Sequence, residues 1–249
     1  MVGGSSPLPS ANEEEVVKFS FLLLAIDRME LTGVQQIGET LGSLAASGFW
    51  EQVDNPAFVL FDGGSRSLDY LAPFRSRFDI AGVAMTRRPR QAEACWRAID
   101  YVLRGQPADY LIWLEDDIQF CKNWYLNVRG WLRRYARPEV WCYSFYDPRP
   151  VLSDGRCRVY PTQEYYGAQC LAIRYDKLAS LEYNVRVIPK RGLFDVKIRS
   201  WLQDHDQSCL LASNPSLVQH REGPSTFKTP RHKSQSFPGE GVDPKLYEK

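Results

Sequence analysis

The stretch that decides the reading of this chain is YLIWLEDDIQF, Tyr110 to Phe120. Five apolar or aromatic residues, Tyr110 to Leu114, run straight into three carboxylates, Glu115, Asp116 and Asp117, and Ile118 follows at once. The apolar run predicts a buried strand. Adjacent carboxylates repel one another, and burying them unpaired is costly. A buried strand that ends on three of them makes sense if a cation sits there. Hard divalent ions such as Mg²⁺ or Mn²⁺ take oxygen ligands and leave positions open for phosphate oxygens. In open α/β sheets, ligands bind beyond the carboxyl ends of the strands. An acidic turn that caps a following helix is the alternative reading of the same residues.

Outward from this strand the pattern alternates. VVKFSFLLLAI, from Val16, reads as a buried strand. Val34, Ile37, Leu41, Leu44 and Ala45 recur at helical spacing between Thr32 and Phe49, and Gly48 stops them. AFVLF is a short strand closed by a DGGS turn at Asp62 to Ser65. Gln91 to Leu103 reads as a helix ahead of the acidic strand, and Lys122 to Tyr135 as one after it. VWCYSFY, GAQCLAI and CLLAS read as further strands. Tyr175 to Leu181 and Asp195 to Gln203 read as helices. Residues 147 to 165 are turn-rich. This alternation predicts an α/β fold with a mixed, mostly parallel, Rossmann-like sheet flanked by helices in a single domain. Residues 1–15, rich in Gly, Ser and Pro and then acidic, are expected to be disordered. The domain is expected over 16–226. A lid or flexible tail is expected over 227–249.

The 249 residues carry 31 Lys and Arg against 30 Asp and Glu, which argues against a nucleic-acid coat. Six cysteines are present and none forms a C-x-x-C pair, so no structural zinc is expected. Free thiols in a reducing compartment are the expectation. MVGGSSPLPSANEEE lacks the basic and apolar regions of a secretory signal. Phe21 to Ile26 is too short to span a bilayer. A soluble, cytoplasmic protein is expected, with peripheral membrane contact left open. The 13% aromatic content suits either stacking on ring-shaped ligands or core packing.

With these motifs in view, the chain resembles glycosyltransferases of the GT-A fold, whose DxD-type acidic motif binds a divalent metal and a sugar nucleotide. It is most similar to the inverting N-acetylglucosaminyltransferase I group, where that motif reads EDD. AIDR (25–28) resembles the end of that family's first strand, and FVLFDGG (58–64) its second. LIWLEDDIQF and EVWCYSFYD resemble the acidic strand and the one after it. FDVKIRSWL (194–202) resembles the helix start that carries the family's base, with Asp195 followed by Val196 where the family has a second Asp. LVQHREGPST (217–226) resembles the C-terminal strand and loop. The specific part of the match is the acidic strand and its neighbour.

The resemblance implies a metal-dependent transferase using Mn²⁺ or Mg²⁺ and a nucleotide-sugar donor, UDP-linked, acting on a carbohydrate or glycoconjugate acceptor. It implies Asp117 on the metal, Asp116 on the donor ribose and Glu115 in the surrounding network. Arg28 and Asp62 would meet the nucleotide base, and His220 the metal or diphosphate. For Asp62 a turn role before Gly63-Gly64 stands beside this, and for Arg28 and His220 a surface role. Asp195 is the candidate general base, and a helix N-cap is its alternative. Tyr165, Tyr166 and Gly167 offer a stacking face for a sugar or simple packing. Arg221, Lys228, Arg231, His232 and Lys233 form a diphosphate lid or a solvated tail. Met85 to Gln91 is a basic loop that meets phosphate or water.

Two other classes stay open. A nucleotidyltransferase is one, although AIDRMELTG lacks the Gly-rich phosphate loop that class places after its first strand. A non-catalytic carbohydrate- or partner-binding domain on the same fold is the other.

Overall fold

The structure, a computed structural model, describes residues 17–82, 91–153, 157–165, 167–188, 193–207, 209–222 and 233–248. In chain order the elements are β1 (Phe19–Ala25), α1 (Met29–Thr32), α2 (Ile37–Ala46), α3 (Phe49–Gln52), β2 (Ala57–Asp62), β3 (Asp79–Gly82), α4 (Gln91–Leu103) and β4 (Tyr110–Glu115). Then come β5 (Ile118–Phe120), α5 (Trp124–Tyr135), β6 (Cys142–Ser144), β7 (Cys157–Pro161), β8 (Cys170–Arg174), α6 (Leu178–Val187), α7 (Phe194–Asp204), β9 (Cys209–Ser213) and β10 (Val218–His220). Eight strands form one sheet in the order β3-β2-β1-β4-β8-β6-β9-β7, and β10 and β5 form a separate pair.

β1 lies between two parallel neighbours, with Leu24 beside Phe61 of β2 and Glu115 of β4. A strand buried on both faces needs apolar residues at successive positions, which FSFLLLA supplies. Its side chains alternate between two cores. Phe21 and Leu23 join Ile112 and Leu114 under α2, α3 and α5. Leu22 joins Leu111 and Trp113 under α4, α6 and α7. The strand β8 runs antiparallel to both β4 and β6, and β7 runs antiparallel to β9, so the sheet is mixed as expected. Four tryptophans, Trp113, Trp124, Trp131 and Trp201, are fully buried, so much of the aromatic content is core.

Several boundaries move. The helix expected over 32–49 resolves into α1, α2 and, beyond Gly48, α3. The turn-rich 147–165 stretch contains β7, and β3 also lacks a clear sequence signal. Both are short edge strands with mixed exposure, so neither carries an apolar run. All six cysteines are free. No helix among the described residues is long and apolar enough to cross a membrane.

The tail expected as a lid or flexible segment is a packed strap over its described part, residues 233–248. Ser236 accepts the Ser216 N–H at 3.1 Å. Glu240 bridges Cys121. Asp243 accepts the side-chain amides of Asn123 at 2.7 Å and Asn127 at 2.9 Å. Leu246 is buried, and its N–H donates to Asn127 Oδ1 at 2.6 Å. The strap crosses α5 at Gly130, where an added Cβ would lie 2.4 Å from Tyr247 Cα. On a bare helix Gly→Ala stabilises by about 1 kcal/mol. Here backbone stands in the way, so Gly130→Ala is expected to cost about 1–3 kcal/mol. Thermal unfolding would report a lower Tm and proteolysis would nick the strap. A higher Tm would mean that the strap does not press on the helix.

Candidate active site

The site is assembled at the carboxyl ends of β1, β2 and β4. Beyond β2, the Asp62 carboxylate is 1% exposed and folds the DGGS turn around itself. Its Oδ2 accepts the N–H groups of Gly64 and Ser65, each at 2.7 Å. Its Oδ1 accepts Ser65 Oγ at 2.5 Å and Tyr70 OH at 2.7 Å. Burial and the Asp62 charge push the Tyr70 phenol up, which keeps it a donor. The Ser65 hydroxyl then accepts the Asp27 N–H at 2.7 Å, so this turn props the loop after β1. Four donors fill the acceptor capacity of a carboxylate. These contacts tie Asp62 to its turn and to Tyr70.

Arg28 packs against the acidic turn, 6% exposed. Its Nε and Nη2 donate to Asp116 Oδ1 at 3.0 and 2.6 Å, and Nη2 lies 2.9 Å from Asp117 Oδ2. Ile26 N–H donates to Asp116 Oδ2 at 3.1 Å, and Thr40 Oγ1 to the Asp116 carbonyl at 2.9 Å. Both Asp116 oxygens are thus engaged inside the protein. Burial disfavours the Arg28 charge, and Asp116 and Asp117 outweigh burial, so its pKa is raised. The cation that the acidic turn demands is in part a guanidinium.

Removing that guanidinium strands two buried carboxylates, the circumstance in which a broken ion pair costs about 3–5 kcal/mol. Arg28→Ala is expected to lose stability on that scale in denaturant unfolding at neutral pH, and added Mn²⁺ to restore part of it. A loss below about 1 kcal/mol, the scale of an exposed pair, would show that water screens the cluster.

The third carboxylate is brought to a histidine. β10 pairs antiparallel with β5, with His220 opposite Ile118. Arg221 N–H donates to the Asp117 carbonyl at 2.8 Å. This ladder sets His220 Nδ1 3.6 Å from Asp117 Oδ1, and the Tyr146 ring meets the imidazole edge-on at 5.7 Å. With metal–ligand bonds of about 2.1 Å, two ligand atoms at that spacing can share one ion. Among the described residues no group of three or more His, Cys, Asp or Glu is arranged as a metal set. Two protein ligands leave most positions to water or phosphate.

Asp195 comes from the opposite core. The start of α7 is pinned by the Phe194 ring, 4.4 Å from Trp113 of β4, and by Phe194 N–H donating to Gln91 Oε1 at 3.0 Å. Leu193 is the N-cap and makes no side-chain cap bond, so Asp195 sits one residue inside the helix and is not its cap. Its carboxylate accepts Val196 N–H at 2.8 Å and Gly167 N–H at 3.0 Å. Gly167 has φ +106°, a conformation that favours glycine. Glu115 lies between the two halves. Burial, with the Asp117 charge next and Asp116 and Asp195 adding, pushes its carboxyl up to about 8 against the pull of Arg28.

Other expectations are settled more simply. Tyr165 is buried, and its hydroxyl donates to the Gly167 carbonyl, so it packs and does not offer a face. Arg221 pairs with Glu240 at 2.9 Å and Glu39 at 3.5 Å, and Lys233 with Glu222. Tyr166, Lys228, Arg231, His232 and 83–90 of the basic loop lie outside the described residues. Ser65 is expected only as a turn residue, and Tyr70 and Thr40, which also position the loops, carry no signal in the sequence. Only the Asp62 turn could have pointed to Ser65.

No family model matches the chain, and no curated protein sequence matches it. Solved structures do. Glucosyl-3-phosphoglycerate synthase from Mycobacterium tuberculosis, in complex with Mn²⁺, uridine diphosphate (UDP) and glucosyl-3-phosphoglycerate, has a TM-score of 0.52 at 14% identity, over 84% of this chain and 73% of that one. The same synthase in complex with Mg²⁺ and UDP has a TM-score of 0.51 at 14% identity, over 84% and 73%. GalNAc-T7 with UDP, GalNAc and Mn²⁺ has a TM-score of 0.53 at 14% identity, over 94% of this chain and 48% of that one. At this identity the likeness is one of fold. The chain has the GT-A fold of glycosyltransferases.

Proposed function

We propose that the chain is a metal-dependent glycosyltransferase. It moves a hexosyl or N-acetylhexosaminyl group from a UDP-sugar to a hydroxyl of a carbohydrate or glycoconjugate acceptor, with inversion. The observation that carries this is the convergence of Asp117 and His220 at the carboxyl end of β4, with Asp195 reaching the same carboxylate cluster from α7. The EDD spelling supports an N-acetylglucosaminyltransferase I-like reading of the acidic motif. Similar folds solved with Mn²⁺ or Mg²⁺ and UDP support the choice of metal and donor. We further propose a cytoplasmic site of action.

Asp117 and His220 would hold Mn²⁺ or Mg²⁺. The carboxylate oxygen suits either ion, and Arg28 offsets only part of the local negative charge. When bound, the ion supplies Lewis-acid stabilisation of the diphosphate leaving group. Arg28 holds Asp116 and Asp117 in place as one rigid unit. Asp195, oriented by the amides of Gly167 and Val196, would take the proton of the acceptor hydroxyl as it attacks the anomeric carbon. The half-buried Glu115 feels the charges of both Asp117 and Asp195 and contributes to the same field.

The test is a panel of nucleotide sugars, followed by donor hydrolysis and thermal shift with Mn²⁺, Mg²⁺ or chelator. One donor that stabilises the protein only with metal supports the reading and names the sugar. If no donor binds, the reading fails. Arg28 favours one alternative, a carbohydrate-binding domain that kept the fold, because it already offsets part of the charge of Asp116 and Asp117. Metal-dependent donor hydrolysis would exclude that alternative.

A further inference from the structure

The strap and α5 enclose a concavity of about 420 Å³ lined by Leu126, Arg129, Gly130, Arg133, Arg134 and Tyr247. Its five α5 residues follow the spacing i, i+3, i+4, i+7, i+8, a single helical stripe. The opposite stripe, Trp124, Asn127, Val128, Trp131 and Leu132, is buried in the core. The outer stripe carries three arginines, Arg129 half-buried and Arg133 and Arg134 exposed. Arg133 and Arg134 lie in the last turn, where cations complement the helix dipole. Arg129 lies a turn earlier. Among the described residues neither Arg129 nor Arg134 forms an ion pair, whereas Arg133 is already engaged.

The wall is equally defined. Gly130 lets the strap touch the helix backbone. Tyr247 is held by its hydroxyl, which donates to Asp243 Oδ2 at 2.8 Å, so its ring stands fixed beside the arginines. Planar guanidiniums match phosphate oxygens two at a time. An aromatic wall suits the body that carries the phosphate. The groove lies along α5, outside the acidic cluster at Asp117.

We infer that this groove is a second ligand site, which takes a phosphate ester through Arg129 and Arg134 with its organic portion against Tyr247. A soluble phosphate ester and a phospholipid headgroup present the same chemistry. The full chain would be tested in chelator, which silences the candidate metal site. Two probes serve: glycerol 3-phosphate, followed by thermal shift and titration, and phosphatidylcholine vesicles with or without phosphatidylglycerol, followed by co-sedimentation.

Binding of one probe is expected, with affinity lowered at least about tenfold in R129Q/R134Q, the scale of one lost charge-assisted hydrogen bond. R75Q/R77Q, an equal charge change at exposed arginines on another surface, is expected to leave it unchanged. Response to glycerol 3-phosphate identifies a soluble ester. Response only to phosphatidylglycerol vesicles identifies a headgroup. If R129Q/R134Q unfolds more easily, Arg134→Gln alone, at an exposed position, carries the comparison. The inference is overturned if neither probe binds, or if R75Q/R77Q weakens binding as much as the groove variants do.

Discussion

Asp195→Asn is expected to lower sugar transfer by about two to four powers of ten, the range that general-base catalysis contributes, while metal-dependent donor binding survives. The geometry gives the reason. Val196 N–H and Gly167 N–H each donate to a different oxygen of this carboxylate. Asparagine keeps one acceptor and turns a second donor toward the other amide. One hydrogen bond is lost, a cost of about 1 kcal/mol, and the fold persists. What disappears is the ability to accept a proton from an acceptor hydroxyl. Transfer rate, donor-induced thermal shift and unfolding would be measured together. Loss of transfer with retained donor binding supports the base. A lower Tm with transfer unchanged would mean that Asp195 serves only to fasten the start of α7 to the Gly167 turn.

The sequence showed the central strands because they are buried on both faces. LLLA and LIWL are continuous apolar runs, and the helix at Gln91–Leu103 has its apolar stripe intact. β3 and β7 were missed because an edge strand needs no such run. The acidic turn was legible as a place that demands positive charge. What the sequence could not show was that Arg28, 88 residues earlier, supplies part of it. Nothing local to AIDR distinguishes an arginine aimed at a ligand from one folded under its own loop. The same holds for Asp62, whose four donors come from the turn and from Tyr70. The strap escaped because a Pro/Ser/Lys-rich stretch has little apolar content. It is held by the Asn123–Asp243 and Asn127–Asp243 bonds and by a helix glycine, and all of these are long-range.

Asp117→Ala is expected to abolish metal-dependent donor stabilisation and to lower turnover by about a thousandfold or more, as several kcal/mol of leaving-group stabilisation are lost. Its effect on stability should be smaller than that of Arg28→Ala, because Asp116 still engages Arg28 through two hydrogen bonds. His220→Ala should weaken the metal requirement in the same direction. The 3.6 Å spacing of His220 Nδ1 and Asp117 Oδ1 makes the two a unit if they share one ion. Such a unit is non-additive. The double variant should therefore be scarcely worse than Asp117→Ala alone, and titration with Mn²⁺ should show both single variants shifted to higher metal concentration. Additive losses would instead mean that His220 acts away from the metal, on the donor or through Tyr146. If Asp117→Ala changed stability but neither donor binding nor metal dependence, the acidic turn would be a purely structural partner of Arg28, and the transferase reading would lose its donor site.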